Sequence, residues 1–229
     1  MKKLFYGLLL LISVSITAQE NEVDSKLKDY DLSIEQLANS ILVSHSQYAF
    51  NITITSDWDS EINVEKARFD PTMKVRERWI LLKYNGNEPS KKELRDFNKR
   101  FNIKEKGINK TIDKSSLNIE LDDKDYLVIS FKYIKSGLPE RYVFLANCKG
   151  KAFINKSTKQ LEKAEFVNEK PLKDWPLKAE KFSLLVNYTY NEAEQIYQLK
   201  KETFKMDVKG FGQMVPLKDV YEYSDYKKL

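Results

Sequence analysis

The chain has 229 residues, 41% of them hydrophobic and 32% charged, with 39 basic against 34 acidic side chains and a formal net charge of +5. The lysines are scattered among acids rather than gathered into a basic stripe, which argues against a nucleic-acid partner. Cys148 is the single cysteine, so no intramolecular disulfide is possible and stability must come from a hydrophobic core.

The N-terminus reads as a signal peptide over residues 1–18. Lys2 and Lys3 form a positive start, Leu4 to Ile12 form an apolar run interrupted by Gly7, and "SVSITAQE" softens into small and polar residues. The apolar run is too short for a permanent membrane anchor, and cleavage is expected after Ala18. No cysteine follows the cleavage region to accept a lipid. The ending "ITAQE" resembles signal peptides of Bacteroidota, and the expected destination is the periplasm or the outside of the cell. Residues 19–229 are then expected to form one domain, with a net charge of about +3 once the two leading lysines are removed.

The first element of that domain is a helix in "DLSIEQLANSILVSH". Ser33 and Gln36 make a capping box, Leu32 and Leu37 a hydrophobic staple, and Ile34, Leu37, Ala38, Ile41, Leu42 and His45 share one face. "YAFNITIT" follows with strict alternation. Phe50, Ile52 and Ile54 lie on one side of it, and Asn51, Thr53 and Thr55 on the other. "NVEKARFD" and "ERWILLKY" are the next strands, separated by Asp70-Pro71. Trp79 and Leu81 point one way and Ile80 and Leu82 the other, which predicts a strand buried on both faces. "NGN" then turns the chain into a second helix, capped by Ser90 and Glu93, whose apolar stripe is Leu94, Phe97 and Phe101. That helix is expected to pack back over a sheet face.

The rest reads as strands: "DYLVISFKYI", "RYVFLAN", "KAFIN", "KAEFV", "KFSLLVNYTY", "EQIYQLKKETFKMDV" and "DVYEYSDY". "KSTKQLE" is a plausible hairpin connection between "KAFIN" and "KAEFV". Short polar turns favour antiparallel neighbours over parallel crossovers. The fold class is therefore α+β, mainly antiparallel β, with a few helices covering the sheet. Phe131, Tyr133, Tyr142, Phe144, Phe182 and Leu184 join Phe50, Ile52, Ile54, Trp79 and Leu81 as candidates for the covered face. They read either as ordinary core or as the wall of a hydrophobic ligand site.

Catalytic chemistry is thinly provided. His45, the only histidine, lies on an apolar helix face and reads as a packed structural residue rather than a general base. Cys148 reads as a small apolar filler, and as a nucleophile only if His45 came near it. Asp122, Asp123 and Asp125 could form a calcium loop. They lack the glycine and terminal glutamate of an EF-hand, so a solvated hairpin tip is the favoured reading. No nucleophile elbow, zincin helix, phosphate loop or paired-cysteine site occurs. No enzyme activity, cofactor or metal is expected.

Taken together, the opening helix and alternating strand, "FDPTMKVRERWILLKYNGNEPSKKELRDFNKRF", "GKAFINKSTKQLEKAEF", "FSLLVNYTY" and "GFGQMVPLKDVYEYSDY" resemble the LolA/LolB-like lipoprotein-carrier superfamily, and its Bacteroidota relatives in particular. The resemblance implies a curved, incomplete barrel around an apolar cavity with helices as a lid. Ile34, Leu37, Ile41, Leu94, Phe97 and Phe101 would belong to that lid. It implies a carrier or binding protein for a lipid, an acylated protein or another hydrophobic ligand. The long lysine-rich strand "YQLKKETFKMDV" departs from the carriers' pattern. The alternative is an envelope protein-interaction module with a filled core and no ligand.

Overall fold

The computed structural model describes residues 22–41, 47–102, 111–138, 140–174, 177–210 and 213–229. The expected signal peptide and His45 lie outside them. Helix α1 spans residues 22–28, α2 Ile34–Ile41 and α3 Lys91–Phe101. The strands are β1 Tyr48–Trp58, β2 Glu61–Phe69, β3 Trp79–Tyr84, β4 Asn118–Asp122, β5 Tyr126–Phe131, β6 Cys148–Asn155, β7 Gln160–Asn168, β8 Leu172–Asp174, β9 Leu177–Asn191, β10 Ile196–Gly210 and β11 Gln213–Lys228.

All eleven strands join one antiparallel sheet in the order β3-β2-β1-β11-β10-β9-β7-β6-β5-β4, with β8 pairing β9 beside this path. The last strand returns to lie against the first, Ile54 opposite Tyr221 and Ile52 opposite Tyr223. The sheet stays open: β3 and β4 are its two edges. The fold is thus α+β and mainly antiparallel, an incomplete barrel of strands with a few helices.

One face of this sheet is apolar, because successive side chains alternate between faces and the ladders keep matching positions in line. A single row shows it. Glu65, Ile54, Tyr221, Glu202, Val186, Ala164, Ala152 and Ile129 are successive cross-strand partners from β2 to β5. All three helices lie on this inner face. Val23 and Leu27 of α1 and Leu37, Ala38 and Ile41 of α2 pack in one cluster with Ile129, Phe131, Phe166 and Leu184. Phe97 of α3 packs in a second with Ile52, Ile54, Ala67 and Leu81.

The local signals for the helices hold. Ser33 N–H donates to Gln36 Oε1 at 2.8 Å while Gln36 N–H donates to Ser33 Oγ at 3.1 Å. Ser90 and Glu93 make the same reciprocal pair ahead of α3. The turn between β3 and α3 needs a left-handed pair, and Asn85-Gly86 supplies it at φ 47° and 81°. The hairpin between "KAFIN" and "KAEFV" is β6–β7.

Three readings are corrected. Residues 141–147, expected to be a strand, lie in a 3₁₀ segment, Glu140–Asn147. Their aromatic and β-branched residues suit a strand in isolation, but the segment packs beside β6 and β7 with Leu145 fully buried in the same cluster as Phe131 and Phe166. Strand β3 is not buried on both sides. Ile80 and Leu82 are 39% and 46% exposed, because β3 is an edge strand and only its inner face is covered. Helix α1, the edge strand β4 and the short strand β8 were not foreseen.

Candidate ligand-binding site

The candidate wall residues divide between the two clusters rather than lining one continuous surface. Ile52, Ile54, Trp79 and Leu81 lie with Phe97 and Phe101 under α3. Phe131, Tyr133, Tyr142, Phe144, Phe182 and Leu184 lie with Ile34, Leu37 and Ile41 in the larger cluster. Phe50 stacks on Phe69 and meets Trp79 edge-on, with centroids 5.0 and 5.5 Å apart. Leu94 sits at the exposed margin of α3 and covers little.

Much of the larger cluster is filled by its own rings. Phe131 meets Phe166 and Tyr133 edge-on at 5.8 and 5.3 Å. Gly150, their neighbour on β6, leaves the space those rings occupy, since a Cβ there would lie 2.7 Å from Phe131 and 2.9 Å from Phe166. The cover over this part is tied down by hydrogen bonds. Tyr133 O–H donates to the Ala38 carbonyl at 3.2 Å, and Tyr188 O–H donates to the Ile41 carbonyl at 2.8 Å. These are among the last carbonyls of α2, which have no partner within the helix. Burial pushes both phenols above their ordinary pKa, so they stay protonated donors. At its other end, α1 is held by Lys26, which pairs with Asp122 at 2.7 Å.

Between the two clusters, β10 and β11 present Phe204, Met206, Tyr221 and Tyr223 to the inner face, all of them partly exposed. Phe204 and Met206 pack against the larger cluster, Tyr221 against the smaller, and Tyr223 against both. Phe204 and Tyr221 meet edge-on at 5.3 Å. These four residues form a strip that stays partly exposed, whereas the residues of the two clusters that they pack against are buried. At its deep end lies Glu202, only 2% exposed. Its Oε2 accepts from Tyr223 O–H at 2.5 Å and its Oε1 from Tyr142 O–H at 3.4 Å. Burial chiefly, and the nearby Glu202 carboxylate in smaller part, push the Tyr188 and Tyr226 phenols above their ordinary pKa.

A second buried carboxylate stands at the far end of the same row. Glu65 takes the Arg100 guanidinium of α3 at 2.5 Å, and Arg100 lies 5.4 Å from the Phe101 ring centroid. The other oxygen, Oε2, is buried without a hydrogen-bond partner.

Sequence reading missed Glu202 by treating "YQLKKETFKMDV" as a lysine-rich strand. Alternation alone puts Glu202, Phe204, Met206 and Val208 on one side and Lys201, Thr203, Lys205 and Asp207 on the other, so the signal was present. The irregularity between Leu199 and Lys201 obscures it. It brings both Leu199 and Glu202 inward, although three residues separate them.

The other candidates lie elsewhere. The Cys148 thiol is buried, 3.7 Å from the Phe144 carbonyl oxygen, and burial pushes it up to about 12, which removes the thiolate a nucleophile needs. Asp122 pairs with Lys26 and Lys156. Asp123 accepts from the backbone N–H groups of Asp125 and Tyr126 and shapes the β4–β5 turn. Among the described residues no group of three or more potential metal ligands occurs.

No protein-family model and no curated protein matches the sequence. Solved structures with some likeness include a DUF1329 family protein from Desulfovibrio piger, at 7% identity over 93% of this chain and 92% of that one, TM-score 0.39. Another is a domain from Vibrio parahaemolyticus provisionally described as an outer membrane lipoprotein-sorting protein, at 10% identity over 85% and 90%, TM-score 0.37. A third is MucB in complex with MucA(peri), at 7% identity over 83% and 93%, TM-score 0.21. Scores at this level assign no function, and they lend nothing to the Bacteroidota resemblance.

Proposed function

We propose that residues 19–229 form one LolA/LolB-like domain that is exported and binds a hydrophobic ligand, without catalysis. The ligand would be a lipid, an acylated protein's chain or a comparable apolar group. One observation carries this reading: the strip of Phe204, Met206, Tyr221 and Tyr223 lies on the helix-covered face, yet stays partly exposed between two otherwise buried clusters. An apolar strip with few polar groups is the usual character of a small-molecule site. Burial of an acyl chain there would contribute roughly 0.8 kcal/mol per CH₂ group. Export rests on the signal-peptide pattern of residues 1–18. Among the described residues no helix is long and apolar enough to cross a membrane.

The test is titration with N-phenylnaphthylamine, a neutral apolar fluorophore, on protein purified without detergent. Saturable binding that Phe204→Asp weakens by about tenfold or more supports the strip as the site, since an unpaired charge placed in an apolar contact is strongly disfavoured. Absence of saturable binding, together with a native mass free of any extractable adduct, overturns it.

The tight ring packing over Gly150 favours the second reading for the larger cluster. In that reading the core is filled and the exposed strip meets an envelope protein partner. N-terminal sequencing of exported protein tests the remaining point, with Gln19 expected first.

A further inference from the structure

Lysines that are scattered along the sequence are gathered by the fold. Alternation turns the lysines of several strands away from the helices, onto the outer face of the sheet. One outer row shows it: Ile62, Asp57, Lys218, Lys205, Ser183 and Val167 are successive cross-strand partners from β2 to β7. Lys205 and Lys218 stand directly opposite each other in this row. Lys66 and Lys83 make a second such pair on the same face, beside the β3 edge. Side chains placed this way have their Cβ atoms about 5 Å apart, and like charges there repel. All four lysines are exposed, and none of them has an ion-pair partner among the described residues. Acids nearby are engaged by other lysines, Glu222 by Lys201 at 2.9 Å and Asp207 by Lys181 at 3.8 Å.

An anionic partner relieves this repulsion, and the layout says which kind. Arginine forks suit a single anion held in a fixed site, whereas lysine is a hydrated point charge on a flexible stem. Lysine pairs set apart on a broad sheet face therefore match many anions spread over a plane. Between the two pairs runs an apolar row that includes Val64, Val220 and Leu185, all partly exposed. Ile62 and Val167, in the lysine row itself, are 62% and 45% exposed. Lysines set around exposed apolar side chains fit a lipid surface, where ammonium groups reach the phosphates and the apolar groups lie against the interface.

We propose that the outer face of the sheet docks on an anionic phospholipid surface, with Lys66, Lys83, Lys205 and Lys218 as its main charged contacts. The inference does not depend on the helix-covered face holding a ligand.

Co-sedimentation with vesicles tests it, using phosphatidylcholine alone and phosphatidylcholine with an equal amount of phosphatidylglycerol. In low salt the protein is expected to bind the anionic vesicles only, and to leave them as salt is raised. A lysine near such a surface contributes about fivefold in affinity. Lys205→Gln combined with Lys218→Gln should therefore weaken binding about tenfold or more, and Lys66→Gln with Lys83→Gln should do the same. Lys91→Gln with Lys92→Gln removes the same charge from exposed positions of α3, and should leave binding nearly unchanged. No binding to the anionic vesicles, or equal binding to both kinds, overturns the inference without need of any variant. An equal loss in the α3 variant also overturns it, because net charge rather than this face would then be responsible. So does tighter binding to duplex DNA at the same phosphate concentration, which would make the face a nucleic-acid surface.

Discussion

One tyrosine hydroxyl and one glycine do more for the inner face than their size suggests. Tyr188 reaches across from β9 to the Ile41 carbonyl at the end of α2, and both groups are buried. Tyr188→Phe keeps the ring and strands the carbonyl, so it should destabilise the protein by about 1–3 kcal/mol. A urea titration should show this as a lower midpoint with an unchanged slope. Gly150→Ala acts through overpacking instead. The added methyl meets Phe131 and Phe166 inside normal contact distance, and the two rings already hold each other edge-on. A cost of about 1–3 kcal/mol is expected by the same measurement. Neither role was legible in the sequence, because both depend on which distant side chain arrives opposite. Tyr188 reads as one more strand tyrosine, and Gly150 as a turn residue after Cys148.

At the scale of elements, α3 shows what local chemistry can and cannot specify. Its start was legible in full: Ser90, Glu93 and the Asn85-Gly86 turn all sit within a few residues of one another. Its burial was legible in part. The stripe of Leu94, Phe97 and Phe101 predicted a covering helix, and the structure buries Phe97 completely while leaving Leu94 at the margin. Phe97→Ala should therefore cost about 3–5 kcal/mol. Ser90→Ala, which removes only the cap, should cost about 1 kcal/mol. Hydrogen exchange should separate the two: the cap variant loosens the first turn of α3, whereas the core variant also loosens the amides of β1 to β3. The 3₁₀ segment Glu140–Asn147 was not legible, since Tyr142, Val143 and Phe144 favour a strand until the rest of the sheet claims that space. The same holds for the irregularity in β10. Alternation is a rule about neighbours two apart, and one extra residue breaks it without any mark in composition.

For the whole molecule, the outer face answers to pH because an edge of the sheet is fastened by ion pairs. Lys149 and Lys151 of β6 both reach Glu120 on the edge strand β4, and their hydrogen bonds hold its carboxyl down to about 2, from 4.5. Lys156 and Lys26 likewise lower Asp122, which joins β4 to the β6–β7 turn and to α1. A carboxyl whose pKa is lower in the folded than in the unfolded chain binds its proton less readily when folded. Its stabilisation is fully present above about 4.5 and disappears as pH falls towards about 2. Stability should therefore decline steadily over that interval in low salt, and less steeply in high salt, which screens such exposed pairs. Glu120→Gln isolates one contribution. The variant should be less stable than the wild type at pH 7, lose less between pH 4.5 and 2, and match it near pH 2. Urea midpoints measured across that range would show two converging curves. Parallel curves would mean that Glu120 stabilises the β4 edge through its shape and hydrogen bonds alone, with its charge contributing nothing.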